Sequence, residues 1–194
     1  MSTNVHQHAV DLETALDFVN TLELERGESF DHLRTTQEAL DWFQVHGLIR
    51  EVPGGASGEA TLRRIHRTRA ALRELADATY EGRPPRAPAI AEVNRALRAR
   101  DVVQLVLSED GLRVGHRHVG DPLDRALAEL ADPIVREITS GHPERLRACA
   151  SPTCRWIFYD DSRTGRRRWC DMASCGNRAK AARHRDRAQE LGRP

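Results

Sequence analysis

The 194-residue sequence contains no long apolar run; hydrophobic residues make up 39% of it, and its mean hydropathy is -0.61. A membrane-spanning helix needs about 20 consecutive apolar residues, so we expect none. The N-terminus, MSTNVHQHAVDLETALDF, lacks the basic segment and the apolar segment of a secretory signal. We therefore predict a cytoplasmic protein without a membrane partner.

Patterns typical of enzymes are also lacking. We find no set of three metal ligands that leaves a position open for water, no nucleophile elbow and no phosphate-binding loop. We therefore predict that the protein is not an enzyme. Internal repeats and low-complexity tracts are also absent from the sequence.

Cysteine is scarce, and its four occurrences lie in one stretch, at Cys149, Cys154, Cys170 and Cys175. In a reducing compartment, clustered cysteines favour metal binding over disulfides. Two close pairs of thiolates supply the four tetrahedral ligands that zinc prefers, and four thiolates leave no position open for a substrate. The sequence therefore predicts a structural Zn²⁺ site. Four free buried thiols and a redox or disulfide switch are the alternatives.

Charge is distributed unevenly along the chain. Residues 1–143 contain 17 basic and 23 acidic side chains, a balance of −6, whereas residues 144–194 contain 13 basic and 6 acidic ones, a balance of +7. An acidic body with a basic C-terminal part indicates that only this last part approaches a polyanion. We therefore place a domain boundary at Gly141-His142-Pro143.

Apolar periodicity predicts a mostly helical N-terminal domain. Helices are expected over about 12–25, after the Thr35 and Glu38 capping box, over about 59–81, from about Pro88, and from Pro122, where Pro133 should kink the helix or start a new one. The run 102–107, a turn at 109–111 and the alternating run 112–119 predict one β-hairpin. We interpret the five arginines of the third helix as a solvated face: Arg63, Arg64, Arg67, Arg69 and Arg73.

The cysteine stretch carries the basic residues. We expect 155–159 and 166–169 to pair as a hairpin and a helix to follow Cys175, with Lys180, Arg183 and Arg187 in one stripe. Clustered arginines on a metal-held scaffold suit contacts to phosphates and to guanine. The alternative is a solvated basic surface without a partner. The candidate nucleic-acid-binding residues are Arg163, Arg166, Arg167, Arg168, Asn177, Arg178, Lys180, Arg183 and Arg187.

Aromatic residues in the same stretch also have two interpretations. Trp156, Phe158 and Trp169 could form the core of this small module or a platform on which bases stack. Because little else could fill the module, we favour the core.

The stretch from Cys149 to Arg187 resembles the CGNR zinc finger, whose tetrad stands here as Cys175-Gly176-Asn177-Arg178. Phe158, Asp160, Ser162-Arg163, Arg168-Trp169-Cys170, Met172 and Arg178-Ala179-Lys180-Ala181 also follow that family's pattern. The preceding region resembles the ABATE domain, through Leu16-Asp17-Phe18-Val19-Asn20-Thr21 and the later Asp41-Trp42-Phe43 and Gly47-Leu48.

These resemblances imply a stress-related bacterial transcription regulator, in which the finger binds nucleic acid and the N-terminal domain senses a ligand or protein signal. Duplex DNA is the expected partner, and an RNA-binding or protein-interaction zinc ribbon is the alternative. Neither the signal nor the oligomeric state follows from the sequence. Asn20, Thr21 and Arg26 are candidate ligand contacts, although Asn and Thr near a helix end are more often hydrogen-bond partners of the chain itself.

The expected fold class is α+β and mostly helical. A helical sensory domain with a β-hairpin, residues 1–143, is followed by a small zinc-ribbon or treble-clef-like module, residues 144–194.

Overall fold

A computed structural model describes residues 10–25, 27–50, 58–99, 101–108, 111–118 and 121–191. Within these residues the chain forms six α-helices: α1 (Leu12–Asn20), α2 (Thr36–Val45), α3 (Glu59–Glu81), α4 (Ala87–Leu97), α5 (Pro122–Ser140) and α6 (Asn177–Leu191). Six strands pair as three antiparallel hairpins: β1 (Leu22–Glu25) with β2 (Glu28–Asp31), β3 (Asp101–Ser108) with β4 (Gly111–His118), and β5 (Leu146–Ala148) with β6 (Ile157–Tyr159). The predicted class, mostly helical α+β with a cysteine module, is confirmed.

Local sequence signals set several helix ends. The Asp11 side chain accepts the Thr14 backbone N–H at the start of α1. At the start of α2, the Thr35 side chain and backbone exchange hydrogen bonds with Glu38, so the predicted capping box is present. Gly82 ends α3 with a φ of 65°, a backbone conformation that favours glycine.

The first helix is shorter than predicted. It ends at Asn20, and the Leu22-Glu23-Leu24-Glu25 segment pairs with Glu28–Asp31 as a second, unpredicted hairpin of the N-terminal region. Thr21 caps the helix, because both its backbone N–H and its hydroxyl donate to the Phe18 carbonyl oxygen. The alternation of leucine and glutamate has a period of two, which suits a strand better than a helix.

Pro133 does not divide the fifth helix. A single helix runs from Pro122 to Ser140, with Pro133 in its interior, so no new helix starts after Asp132. Leu130, Ala131 and Ile134 are fully buried around it. Burial of this apolar side offsets the loss of one backbone hydrogen bond.

One hydrophobic core joins the helices to the cysteine module, which we define as β5 through α6. Phe18, Phe43 and Leu72 are fully buried in it, and α5 packs against α1 and α3. Leu146 of β5 and Ile157 of β6 are each 1% exposed and belong to the same cluster of buried side chains. The β5–β6 hairpin therefore packs against α1 and α3 of the helical body, which we define as α1 through α5.

Asn20 fastens this hairpin to α1. Its side-chain amide donates to the Ile157 carbonyl oxygen at 2.8 Å, and its Oδ1 accepts the Ile157 backbone N–H at 2.9 Å. The Asn20 residue is 1% exposed. One buried amide therefore satisfies both backbone groups of a β6 residue.

None of the helices in the described part of the chain is both long and apolar enough to span a bilayer.

We predict that Asn20→Leu destabilises the protein. The substitution keeps the branched shape of the side chain, adds some bulk, and leaves the Ile157 N–H and carbonyl buried without partners, at a cost of about 1–3 kcal/mol for each group. Urea unfolding checks this, with Asn94→Leu as the control because Asn94 is exposed on α4. The control should stay within about 0.5 kcal/mol of the wild type. Equal destabilisation of the two variants would contradict the role of Asn20.

Candidate metal centre and basic surface

The four cysteines converge from separate local structures. Cys149 directly follows β5, and its backbone N–H donates to the Trp156 carbonyl oxygen at 2.8 Å. Cys154 ends a tight turn in which its N–H donates to the Ser151 carbonyl oxygen. Cys170 ends the connection after β6, and Cys175 lies in a π-helical turn, Met172–Gly176, that leads into α6.

Their spacing suits a tetrahedral metal ion. All four Sγ atoms lie within 4.8 Å of one another, with Cys154 to Cys170 at 3.7 Å and Cys170 to Cys175 at 3.8 Å. A zinc–sulfur bond of about 2.3 Å gives a tetrahedron with edges of about 3.8 Å. Sulfur atoms in a disulfide are only about 2.05 Å apart, and all four cysteines are free. The cluster could therefore hold one metal ion.

The electrostatics of the cluster also favour a cation. Burial raises the pKa of Cys154 to about 11, and burial together with the neighbouring sulfurs raises the pKa of Cys170 further. Burial also acts on Cys175, but the Arg178 guanidinium, which donates to Cys175 Sγ at 3.2 Å, and the adjacent thiols lower its pKa overall. Four thiolates this close repel one another, so a dication would be needed to hold them deprotonated.

Aromatic side chains pack around the sulfur atoms. Buried Phe158 and the half-buried Trp156 and Trp169 belong to one apolar cluster with the cysteines, which is the core arrangement expected from the sequence. A Cβ atom at Gly176 would clash with the Met172 side chain and approach Trp169 Cδ1 to 3.3 Å. Glycine in the tetrad therefore leaves room for the Met172 side chain beside Trp169.

Asp160 organises the loop that follows β6. Its buried carboxylate accepts the Ser162 hydroxyl at 2.6 Å and the Arg167 backbone N–H at 2.7 Å. Burial disfavours the charged form, yet these hydrogen bonds hold the pKa of Asp160 below its usual value. The Arg145 guanidinium donates to the Asp160 and Ser162 carbonyl oxygens, which joins the loop to the segment before β5.

Strand pairing in the module differs from the prediction. The β6 strand pairs with β5, from Leu146↔Tyr159 to Ala148↔Ile157, and residues 166–169 form no strand. They are held instead by single contacts, such as the Ala150 N–H donating to the Arg168 carbonyl oxygen. The apolar residues of β5 and β6 decide the pairing, because Leu146 and Ile157 must face the core.

The predicted basic residues fall into two groups. Most are exposed, either on the loop after Asp160 or along α6: Arg163, Arg166, Arg168, Asn177, Lys180, Arg183 and Arg187. Arg167 is half-buried; its guanidinium lies 5.0 Å from the Phe158 ring centre and donates to the Cys170 carbonyl oxygen and to Asp161. Arg178 is exposed, and its guanidinium donates to Cys175 Sγ. Arg167 and Arg178 thus support the metal centre.

Two of the three candidate ligand residues have partners inside the protein. Asn20 holds Ile157, and the Thr21 hydroxyl donates to the Phe18 carbonyl oxygen and accepts from Arg69 at 3.0 Å. Arg26 lies outside the described residues.

The arginines of α3 are not all a solvated face, as the sequence had suggested. Arg69 is 3% exposed and forms a two-pronged ion pair with Asp31, and Arg64 pairs with Asp121 and Asp124. Arg73 donates to the Arg155 carbonyl oxygen, next to Cys154, and to Asp77. The arginine pattern of α3 could not predict most of these contacts, because the partner residues lie far away in the sequence.

Two cavities lie where the helical body meets the module. One, of about 300 Å³, is an open cleft bordered by the β1–β2 hairpin, α3 and the first cysteine loop, and Arg73, Asp77 and Cys154 are among its lining residues. The other, of about 440 Å³, lies between α1 and β6. Asp17 lines the second cavity, and burial together with the nearby Glu13 raises its pKa.

Comparison with known families assigns both parts of the chain. Residues 145–188 match the CGNR zinc finger, which places the cysteine module in the zinc-finger class. Residues 12–141 match the ABATE family, described as "Putative stress-induced transcription regulator". Because that match covers most of the sequence, the chain belongs to the ABATE family, and both resemblances read from the sequence are confirmed. Neither description is that of an enzyme. A search of curated proteins found no match.

We predict that Cys170→Ser abolishes stoichiometric zinc binding. Cys170 Sγ lies 3.7 Å from Cys154 Sγ and 3.8 Å from Cys175 Sγ, and a serine hydroxyl is a poor substitute for a thiolate. Elemental analysis of purified protein should give about one zinc per wild-type chain and far less for the variant. Ser174→Ala, next to Cys175 but outside the sulfur cluster, should keep its zinc. Unchanged zinc in Cys170→Ser would refute the four-cysteine site.

Proposed function

We propose that the protein is a DNA-binding transcription regulator whose zinc-held module contacts duplex DNA. The observation that supports this most directly is the convergence of an exposed arginine loop and a basic helix on one four-cysteine centre. A metal ion there would fix both elements in one geometry. Four cysteine ligands would leave no open position, so the zinc would be structural.

The proposed contact surface, called the basic surface below, consists of the exposed side chains of the loop and of α6: Arg163, Arg166, Arg168, Asn177, Lys180, Arg183 and Arg187. None of the loop arginines 163, 166 and 168 forms an ion pair with another described residue. Their charges are therefore available to phosphates. Arg167 and Arg178, also candidates from the sequence, would act by positioning the loop and the Cys175 ligand.

The helical body is proposed to sense the signal and to pass it to the module. The 300 Å³ cavity supports this, since an occupant would touch both α3 and the loop that carries Cys154. Asn20 and Thr21 would then hold the two parts in register, and Arg26 stays a candidate ligand contact.

A thermal-shift screen of small metabolites tests the sensing proposal. Ala70 is exposed and lines the cavity, so Ala70→Trp should fill it. Ligands of the cavity should raise the Tm of the wild type by a few degrees and leave that of Ala70→Trp unchanged. Equal shifts in both proteins, or no ligand among those screened, count against a small-molecule signal at this cavity.

We predict that DNA affinity depends on the basic surface and on salt. Replacing Lys180, Arg183 and Arg187 by glutamine should weaken binding to duplex DNA. The slope of log affinity against log salt should fall by about 1 for each phosphate that the variant no longer neutralises. Fluorescence anisotropy with zinc-loaded protein at several salt concentrations measures both quantities.

A matched variant controls for the change in net charge. Arg63→Gln, Arg67→Gln and Arg136→Gln remove three exposed arginines from α3 and α5, away from the module. Its affinity and salt slope should equal those of the wild type. Equally weakened binding in both variants, or no duplex binding by the zinc-loaded wild type at low salt, would overturn the proposal. Preferential competition by structured RNA or single strands would instead assign the basic surface to RNA or single-stranded partners.

A further inference from the structure

The β3–β4 hairpin carries an apolar face that no other described element covers. Leu105 is 72% exposed, Leu107 80%, Leu112 71% and Val114 65%. Within the described residues, no other element packs extensively against either strand. Eight residues per strand give a ribbon about 26 Å long.

Strand register places these four side chains together. Leu105 lies opposite Val114 and Leu107 opposite Leu112, so the residues form two adjacent cross-strand pairs. Successive side chains of a strand point to opposite faces, and therefore all four share one face. Gln104 and Arg113 lie on the other face, with Val106. The half of the ribbon next to the turn is thus apolar on this side, whereas the register positions of Asp101, His116 and His118 fall on the same side further from the turn.

An isolated two-stranded ribbon with such a face is unfavourable in water. Two strands without a further layer are marginally stable at best. The four side chains expose on the order of 500 Å² of apolar surface, near the upper end of the largest patch that a typical monomer leaves open. A strand pair of this kind gains stability when its apolar face is covered.

We propose that the apolar face of the β3–β4 hairpin packs against the same face of a second copy of this chain. Leu105, Leu107, Leu112 and Val114 are all apolar, so the half of the face next to the turn can pack against the same half of a second copy without a charge complement. Two faces in contact bury about 1,000 Å² in total, which is the lower limit for a specific interface and corresponds to a weak dimer that forms at micromolar concentrations. Identical patches that meet in this way form a closed two-fold dimer.

This assembly is independent of nucleic-acid binding, because it uses a hairpin of the helical body and none of the basic surface. A dimer would carry two cysteine modules, which is the arrangement that a two-fold symmetric duplex site requires. That consequence rests on the proposed function, whereas the dimer does not.

Sedimentation equilibrium of the full-length, zinc-loaded protein tests the proposal. The wild type should sediment at twice the chain mass of 21.9 kDa. Replacing Leu105, Leu107, Leu112 and Val114 by threonine should give the monomer mass. Threonine favours strands and forms stable cross-strand pairs, so the ribbon itself is retained. Gln104→Thr with Arg113→Thr alters the opposite face as the control and should stay dimeric.

A second pair of variants separates loss of the interface from misfolding. Leu107→Lys and Leu107→Glu each place a charge in the apolar face beside the turn and should each be monomeric, because the face is small enough for like charges of the two copies to lie close together. An equal mixture of the two should recover a dimer, which misfolded chains cannot do.

The proposal is overturned by any of three results. These are a monomeric wild type at concentrations up to about 100 μM, a dimeric fourfold threonine variant, and a mixture of the two charged variants that stays monomeric. None of them bears on whether the module binds DNA, which is measured separately on the basic surface.

Discussion

Four sulfur atoms within 4.8 Å of one another constrain everything that follows β5. The segment between Cys149 and Cys175 has one three-residue strand and a single π-helical turn, so regular secondary structure contributes little to its order. A metal ion bound by four thiolates would replace that missing stabilisation, since such binding is worth on the order of 10–16 kcal/mol in small modules. The loop conformation set by Asp160 and the start of α6 both depend on where the cysteines are held.

A second constraint is the shared core. The β5–β6 hairpin contributes Leu146 and Ile157 to the same apolar cluster as Phe18 and Leu72. Polar contacts reinforce it on two sides, through Asn20 at β6 and through Arg73 at the Arg155 carbonyl oxygen. Arg155 has a φ of 57° directly after Cys154, so the contact from α3 engages the turn that presents one of the four clustered cysteines. Movements of α1 or α3 would therefore reach the metal centre through short, direct contacts.

The sequence predicts what depends on local spacing and misses what depends on distant partners. The bounds of α3, the capping box of α2, the β3–β4 hairpin and the clustering of the four cysteines all follow from residues close together in the chain. Arg69 resembled a solvated residue because Asp31, which pairs with it, lies 38 positions earlier. The pairing of β6 with β5 was missed for a related reason, since the choice of partner depends on which strands face the core. The β1–β2 hairpin could have been recognised from the Leu-Glu alternation alone.

The burial of Leu146 and Ile157 in the helical body also limits how the chain can be divided or recombined. A fragment that began just before β5 would carry these two side chains to its surface and leave matching vacancies between α1 and α3. A finger transplanted from a relative would need a β5–β6 hairpin shaped to the recipient's helices, as well as its own four cysteines. The two regions are therefore structurally interdependent, although only one of them carries the four cysteines.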